Sequence, residues 1–175
     1  TTTSSFVGTI PISNDGNYKI QIGNGDYYQA AGTFQGGPWT LQIGVSNSNA
    51  DFVITGGTFN APSTTIFADG NATYNAPGIT FNDLEFNKTQ TETITSGQTI
   101  TVNGTLTLTN GALSGGTINA KGNISQASTF GGGNTVLDFG NDSASQTYTL
   151  NGGTGPIMRL DSAADASDSL LFNAT

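Results

Sequence analysis

The string Ile54-Thr-Gly-Gly-Thr-Phe-Asn-Ala-Pro62 returns almost unchanged as Leu113-Ser-Gly-Gly-Thr-Ile-Asn-Ala-Lys121, with a weaker echo at Ala31-Gly-Thr-Phe34. Repetition at this scale marks chains built from stacked units. Around these strings apolar and polar residues alternate. Tyr18, Ile20 and Ile22 share one face, with Lys19 and Gln21 on the other. Trp39, Leu41, Ile43 and Val45 repeat the pattern, as do Phe52 with Ile54, Ile79 with Phe81, and Leu84 with Phe86, which sets Glu85 outward. A period of two is the mark of a half-buried strand. Between Thr91 and Ser125 the residues Ile94, Ile100, Leu106, Leu113, Ile118 and Ile124 fall in steps of about six, with Val102 and Leu108 on the same faces.

Turn chemistry punctuates the strands. Asn14-Asp15-Gly16-Asn17, Gly23-Asn24-Gly25, Asp69-Gly70-Asn71 and Gly131-Gly132-Gly133-Asn134 read as turns. Asn103-Gly104 and Asn110-Gly111 suit either a tight hairpin or the corner of a solenoid, where a left-handed residue is needed. No ten-residue segment carries a helical stripe. The best candidate, Ser162 to Leu171, is mostly Ala, Ser and Asp.

The chain is therefore expected to be all-β. Two architectures compete. In a β-solenoid, a right-handed β-helix, coils of about 20 residues stack at the strand spacing of about 4.8 Å, and inward Ile, Leu, Val and Phe form ladders. In a β-sandwich the same strands pair as hairpins across two sheets. The repeated string and the close, even spacing favour the solenoid. The expected organisation is an arm at 1–13, a less regular β cap or small β-module at 14–50, and solenoid repeats at 51–175.

Composition narrows the functional classes. Of 175 residues 25 are Gly and none is Cys or His, and charged residues make up 9% with a formal net charge of −8. Disulfides, cysteine-ligated metals and a His base are thereby excluded. Four cations leave no electrostatic footprint for nucleic acid or an anionic membrane. No run approaches the ~18 apolar residues of a membrane-spanning helix. The polarity is carried instead by neutral Thr, Asn, Ser and Gln. Such a coat fits an extracellular or cell-surface location better than the cytosol, where proteins keep charge on the surface. The chain starts Thr-Thr-Thr without Met, which fits a processed chain or an excised fragment.

The stretch Phe81-Asn-Asp-Leu-Glu-Phe-Asn-Lys-Thr89, followed by Thr93-Ile-Thr-Ser-Gly-Gln-Thr-Ile-Thr-Val-Asn-Gly-Thr-Leu-Thr-Leu-Thr109 and Gly115-Gly-Thr-Ile-Asn-Ala-Lys-Gly-Asn-Ile124, resembles the repeats of secreted bacterial β-solenoid proteins, the autotransporter-passenger-like and filamentous-haemagglutinin-like surface adhesins. The similarity covers about residues 50 to 150. It implies a parallel solenoid exported to the cell surface. The family shares no catalytic motif, so no site residue carries over.

Candidate chemistry is sparse. Asp161, Asp165 and Asp168 cluster near the C-terminus, with Asp138 and Asp142 upstream. They are weak calcium candidates: neither an Asp-x-Asp-x-Asp-Gly loop nor a Gly-Gly-x-Gly-x-Asp repeat is present, and a solvated acidic loop is the simpler reading. No other cofactor is expected. Glu85 and Glu92, the two Glu residues, form no obvious hydrolase pair, and with scattered Lys19, Lys88, Lys121 and Arg159 they argue against an enzyme acting on polysaccharide. A lysine–asparagine isopeptide needs a buried Lys beside a carboxyl, and Lys19 is expected to face water. Rows such as Thr91/Thr93/Thr95, Thr99/Thr101 and Thr105/Thr107/Thr109 resemble an ice-binding array, provided they align across coils; strand propensity alone also explains them. Trp39 with Tyr27 and Tyr28 could stack on a sugar, or fill the core. Six Asn-x-Ser/Thr sequons occur, at Asn71, Asn87, Asn103, Asn123, Asn141 and Asn173, where composition alone gives about four.

The N-terminal arm is the main candidate for assembly. Phe6, Gly8, Ile10 and Ile12 share a strand face behind a polar leader, as donation to a neighbouring subunit would require. An ordinary first strand is the alternative. The expected function is structural: a filament subunit or adhesin stalk module that assembles with copies of itself or continues into further modules. The alternative is a carbohydrate-binding module whose partner is a glycan.

Overall fold

The computed structural model describes residues 19–45, 48–68, 70–140, 145–160 and 170–174. Among them every regular element is a strand and every strand pairing is parallel, in a β-solenoid of about seven turns. Antiparallel hairpins, which a sandwich would need, are absent from the described residues.

Each coil supplies up to three strands. The first holds β1 (Lys19–Ile22), β2 (Tyr27–Gln29) and β3 (Thr33–Gln35); the second holds β4 (Thr40–Ile43), β5 (Phe52–Ile54) and β6 (Thr58–Asn60). The third holds β7 (Thr64–Ala68), β8 (Ala72–Asn75) and the two-residue β9 (Thr80–Phe81). In the fourth and fifth the long strands β10 (Asp83–Ile94) and β12 (Leu106–Ser114) bend round a corner, followed by β11 (Thr99–Val102) and β13 (Thr117–Ala120). Then come β14 (Ile124–Gln126), β15 (Phe130–Gly133) and β16 (Val136–Phe139), then β17 (Gln146–Leu150) and β18 (Ile157–Leu160), and β19 (Leu170–Ala174) opens another coil. Coil length varies: Leu106 lies over Ile124, 18 residues on, and Thr40 lies over Thr64, 24 residues on.

Three faces result. Face one stacks β1, β4, β7, the start of β10, the start of β12, β14, β17 and β19. Face two stacks β2, β5, β8, the end of β10, the end of β12 and β15. Face three has β3 on β6, then, separately, β9, β11, β13, β16 and β18. The ladders of face one begin at Lys19, so β1 to β4, inside the stretch expected as a cap or small module, are coils of the same stack.

Parallel stacking in register turns the alternation into columns. Ile20, Leu41, Thr65, Leu84, Leu106, Ile124, Tyr148 and Phe172 lie one over the next on the inner side of face one. Ile100, Ile118, Leu137 and Met158 do the same on face three. The early coils fill their interior with rings. Tyr27 stacks on Phe52 at 4.9 Å, Phe52 on Tyr74 at 5.6 Å, and Phe34 on Phe59 at 4.9 Å. Each pair adds about 0.5–1.5 kcal/mol beyond the area it buries.

The corners explain the abundance of Asn, Asp and Gly. A side-chain oxygen of one coil repeatedly accepts the backbone N–H of the next. Asp26 Oδ1 accepts from Asp51 at 3.0 Å, Asp51 Oδ1 from Thr73 at 2.7 Å, Asn71 Oδ1 from Thr91 at 3.2 Å and Asp83 Oδ1 from Thr105 at 2.7 Å. These bonds satisfy donors that the strand ladders leave free where the chain turns. Asn110-Gly111 is not a hairpin. It lies within β12 at a shift of register, where Asn87 pairs with Asn110 but Thr91 with Ala112. The extra residues of β10 form a bulge against Gly111, which has a φ of 83°. A Cβ there would meet the carbonyl oxygens of Lys88 and Gln90, so only glycine fits.

Candidate functional site

Several candidate residues lie outside the described residues: Phe6, Gly8, Ile10 and Ile12 of the arm, Asp161, Asp165 and Asp168, Asp142, and the Asn14–Gly16 turn. Of the helical candidate, only Leu170 and Leu171 are described, and they belong to β19.

The two glutamates are placed on opposite sides of the wall. Glu85 is half-buried on the outer side of face one, as its alternation predicts, and its Oε1 accepts the Thr109 hydroxyl at 2.8 Å. Glu92 is inside, fully buried, pairing in register with Ala72 and Leu113. Lys88 is inside with it, its Nζ 2.7 Å from Glu92 Oε2. Both carboxylate oxygens otherwise lack a hydrogen-bond partner. Burial pushes the Glu92 carboxyl up to about 7; the Lys88 ammonium opposes that rise and the charge of Asp51 adds to it. A buried Lys beside a carboxyl is thus present at Lys88, while Lys19 is exposed as expected. The signal in the sequence was the alternation itself: Leu84 and Phe86 point inward, and one more step reaches Lys88.

The remaining charges are dispersed. Arg159 Nη2 donates to Asp138 Oδ2 at 2.6 Å on the outside of face three, beside Asn119, which pairs in register with Asp138. Among the described residues no three Asp, Glu, His or Cys side chains gather as a metal-binding group would require.

The aromatic trio divides. Trp39 is buried against Phe34, and Tyr27 packs into the ring cluster, so these two fill the core. Tyr28 is exposed on face two, beside the Thr55 hydroxyl. The Thr rows do align, but briefly. On face three Thr33 pairs with Thr58, Thr80 with Thr101 and Thr99 with Thr117. Further along, Asn119, Asp138 and Arg159 replace Thr in one column, and Val136 and Ile157 in the other. The sequons at Asn71, Asn87, Asn103, Asn123 and Asn173 are all exposed.

One concave feature interrupts face three. No strand pairing joins β6 to β9, although the rings of Phe59 and Phe81 stay 6.0 Å apart beneath them. The third coil passes from β8 to β9 through the turn at Pro77-Gly78, and its two-residue strand makes no ladder with the coil before. A groove of about 380 Å³ opens there, lined by Phe59, Asn60, Ala61, Ile79, Thr80 and Asn82, with Gly78 at the turn. Asn82 Nδ2 bridges it, donating to the carbonyls of Ala61 at 3.2 Å and Pro62 at 2.9 Å.

No family model matches the chain, and no curated protein or solved structure proves similar to it. Among the described residues the chemistry on offer is an outer wall with few charges, the buried Lys88–Glu92 pair and a polar groove on face three.

Proposed function

We propose that this chain is a structural module of an extracellular, cell-surface protein: a stalk segment of an adhesin, or a filament subunit, of the kind that secreted bacterial β-solenoid adhesins employ. The observation that carries the reading is the stack of parallel, in-register coils on face one, with mainly apolar columns inside and mainly uncharged Thr, Asn, Gln and Ser outside. Backbone ladders running along the stack give stiffness with little sequence requirement beyond the columns. Ile157, Leu160, Leu171 and Phe172, exposed on the last described strands, suit stacking against a further coil or a neighbour. Among the described residues, Glu92, whose pKa is raised, is sealed inside the wall.

Electron microscopy of the purified chain tests the reading. Rods that join into fibres with a regular axial repeat support it. Uniformly monodisperse globules at every concentration count against it.

A further inference from the structure

We propose that face three of the first four coils binds a neutral, extended polysaccharide, seated in the groove between β6 and β9. Binding is a second activity, separate from the rod's mechanical role. Four observations converge on this ligand class.

The first is charge. The net charge of −8 is carried elsewhere: on this face, 33–37, 58–62, 78–82 and 98–104 contain no charged side chain. An ionic ligand gains nothing there, so the partner is uncharged. The second is the array of polar groups. Gln35 and Asn60 pair in register, and the Asn60 amide donates to Gln35 at 2.9 Å. Across the groove Asn82 and Thr80 continue the surface, and Thr80 pairs in register with Thr101. Exposed amides and hydroxyls, each able to donate and accept, are what sugar hydroxyls require. The third is repeat: on either side of the groove the paired rungs, β3 on β6 and β9 on β11, lie about 4.8 Å apart, close to the rise of one sugar in an extended β-1,4-linked chain. The fourth is the groove. Its volume of about 380 Å³ suits one or two sugar rings, with Ile79 and Phe59 offering C–H surface beneath and Asn60, Thr80 and Asn82 on the rim.

Other partners fit less well. Ice requires a flat, unbroken lattice, and the gap between β6 and β9 breaks it. A protein partner would seek large exposed aromatics or Arg as anchors, and this face has none.

Titration of the isotope-labelled chain with cellohexaose and mannohexaose, followed by amide NMR shifts, tests the proposal. Asn60→Ala and Thr80→Val alter the rim, and Thr107→Val on face one serves as the control; spectra of each free variant confirm folding. We expect millimolar-range binding of at least one hexasaccharide, with shifts centred on β6 and β9. Asn60→Ala and Thr80→Val should weaken it about fivefold or more, and Thr107→Val should leave it unchanged. Absence of shifts with both sugars, shifts centred elsewhere, or equal binding by the rim variants overturns the proposal. Inhibition of ice recrystallisation without sugar binding would also overturn it and assign the face to water.

Discussion

Lys88 and Glu92 lie on one strand four residues apart, yet their side chains meet at 2.7 Å inside the solenoid. On a straight strand, residues so spaced sit about 13 Å apart. The bulge at Thr89-Gln90 turns the strand from face one to face two and brings the two inward side chains together, and Gly111 on the next coil gives the bulge its room. The pair is therefore a product of the corner. Breaking it by Lys88→Met leaves a buried carboxylate without its partner. A loss of about 3 kcal/mol or more is expected near pH 8, measured by urea denaturation. Replacing both, as Lys88→Met with Glu92→Leu, should return stability to within about 1 kcal/mol of the parent, because the desolvation cost of both charges disappears.

The same pair sets a pH dependence. Burial raises the Glu92 pKa from the ordinary 4.5 to about 7, against the pull of Lys88 and with Asp51 adding to the rise. Between these values the folded chain holds a proton that the unfolded chain has released. This contribution to stability is thus fully present below about pH 4.5, fades as pH rises to about 7, and is flat above. At about 1.4 kcal/mol per unit it amounts to at most ~3.5 kcal/mol. Urea midpoints from about pH 5 to 8 should fall for the parent, and Glu92→Gln should remove most of that slope.

Alternation and repeat make the coils legible in the sequence itself. The inward Leu84 and Phe86, the outward Glu85 and the recurring Gly-Gly-Thr string all occupy the places that a period of two and a stacked architecture assign. Lys88 and Glu92 follow the same alternation, but a charged residue at an inward position contradicts the usual cost of burial, and nothing in a linear period reveals a bulge that supplies a partner. The groove was hidden for another reason. Pro77-Gly78 announces a turn, but nothing in the linear order says that the two-residue strand after it forms no ladder with β6. Trp39 and Tyr27, which the sequence leaves as core or end-cap residues rather than sugar platforms in the simpler reading, sit in the ring cluster.

Asp83 illustrates the corner bonds. Its Oδ1 accepts the Thr105 N–H at 2.7 Å, tying one coil to the next. Asp83→Ala should cost about 1 kcal/mol in thermal or urea unfolding. Asp83→Asn keeps an acceptor oxygen and should lose only a few tenths.

Gly70 and Gly97 separate two demands on glycine. Both have positive φ, 83° and 80°. A Cβ on Gly97 meets open space, whereas one on Gly70 runs into the Ser48 carbonyl. Gly97→Ala should therefore cost only the left-handed penalty of about 1–2 kcal/mol. Gly70→Ala adds a backbone clash and should lose at least about 3 kcal/mol, or fail to fold. Denaturation of the two variants side by side checks the ordering.

The register of the coils underlies every function proposed for this wall, and cysteine pairing measures it directly. The chain has no Cys, so engineered pairs report without background. Thr107 lies beside Ser125 on face one, and Thr99 beside Thr117 on face three. Neighbouring rungs fall within the Cα separation a disulfide accepts. Thr107→Cys with Ser125→Cys, and Thr99→Cys with Thr117→Cys, should each close a disulfide in the native monomer under mild oxidation, while Thr107→Cys with Thr117→Cys, on different faces, should stay reduced. Failure of both matched pairs to close, or ready closure of the mismatched one, would contradict the stack.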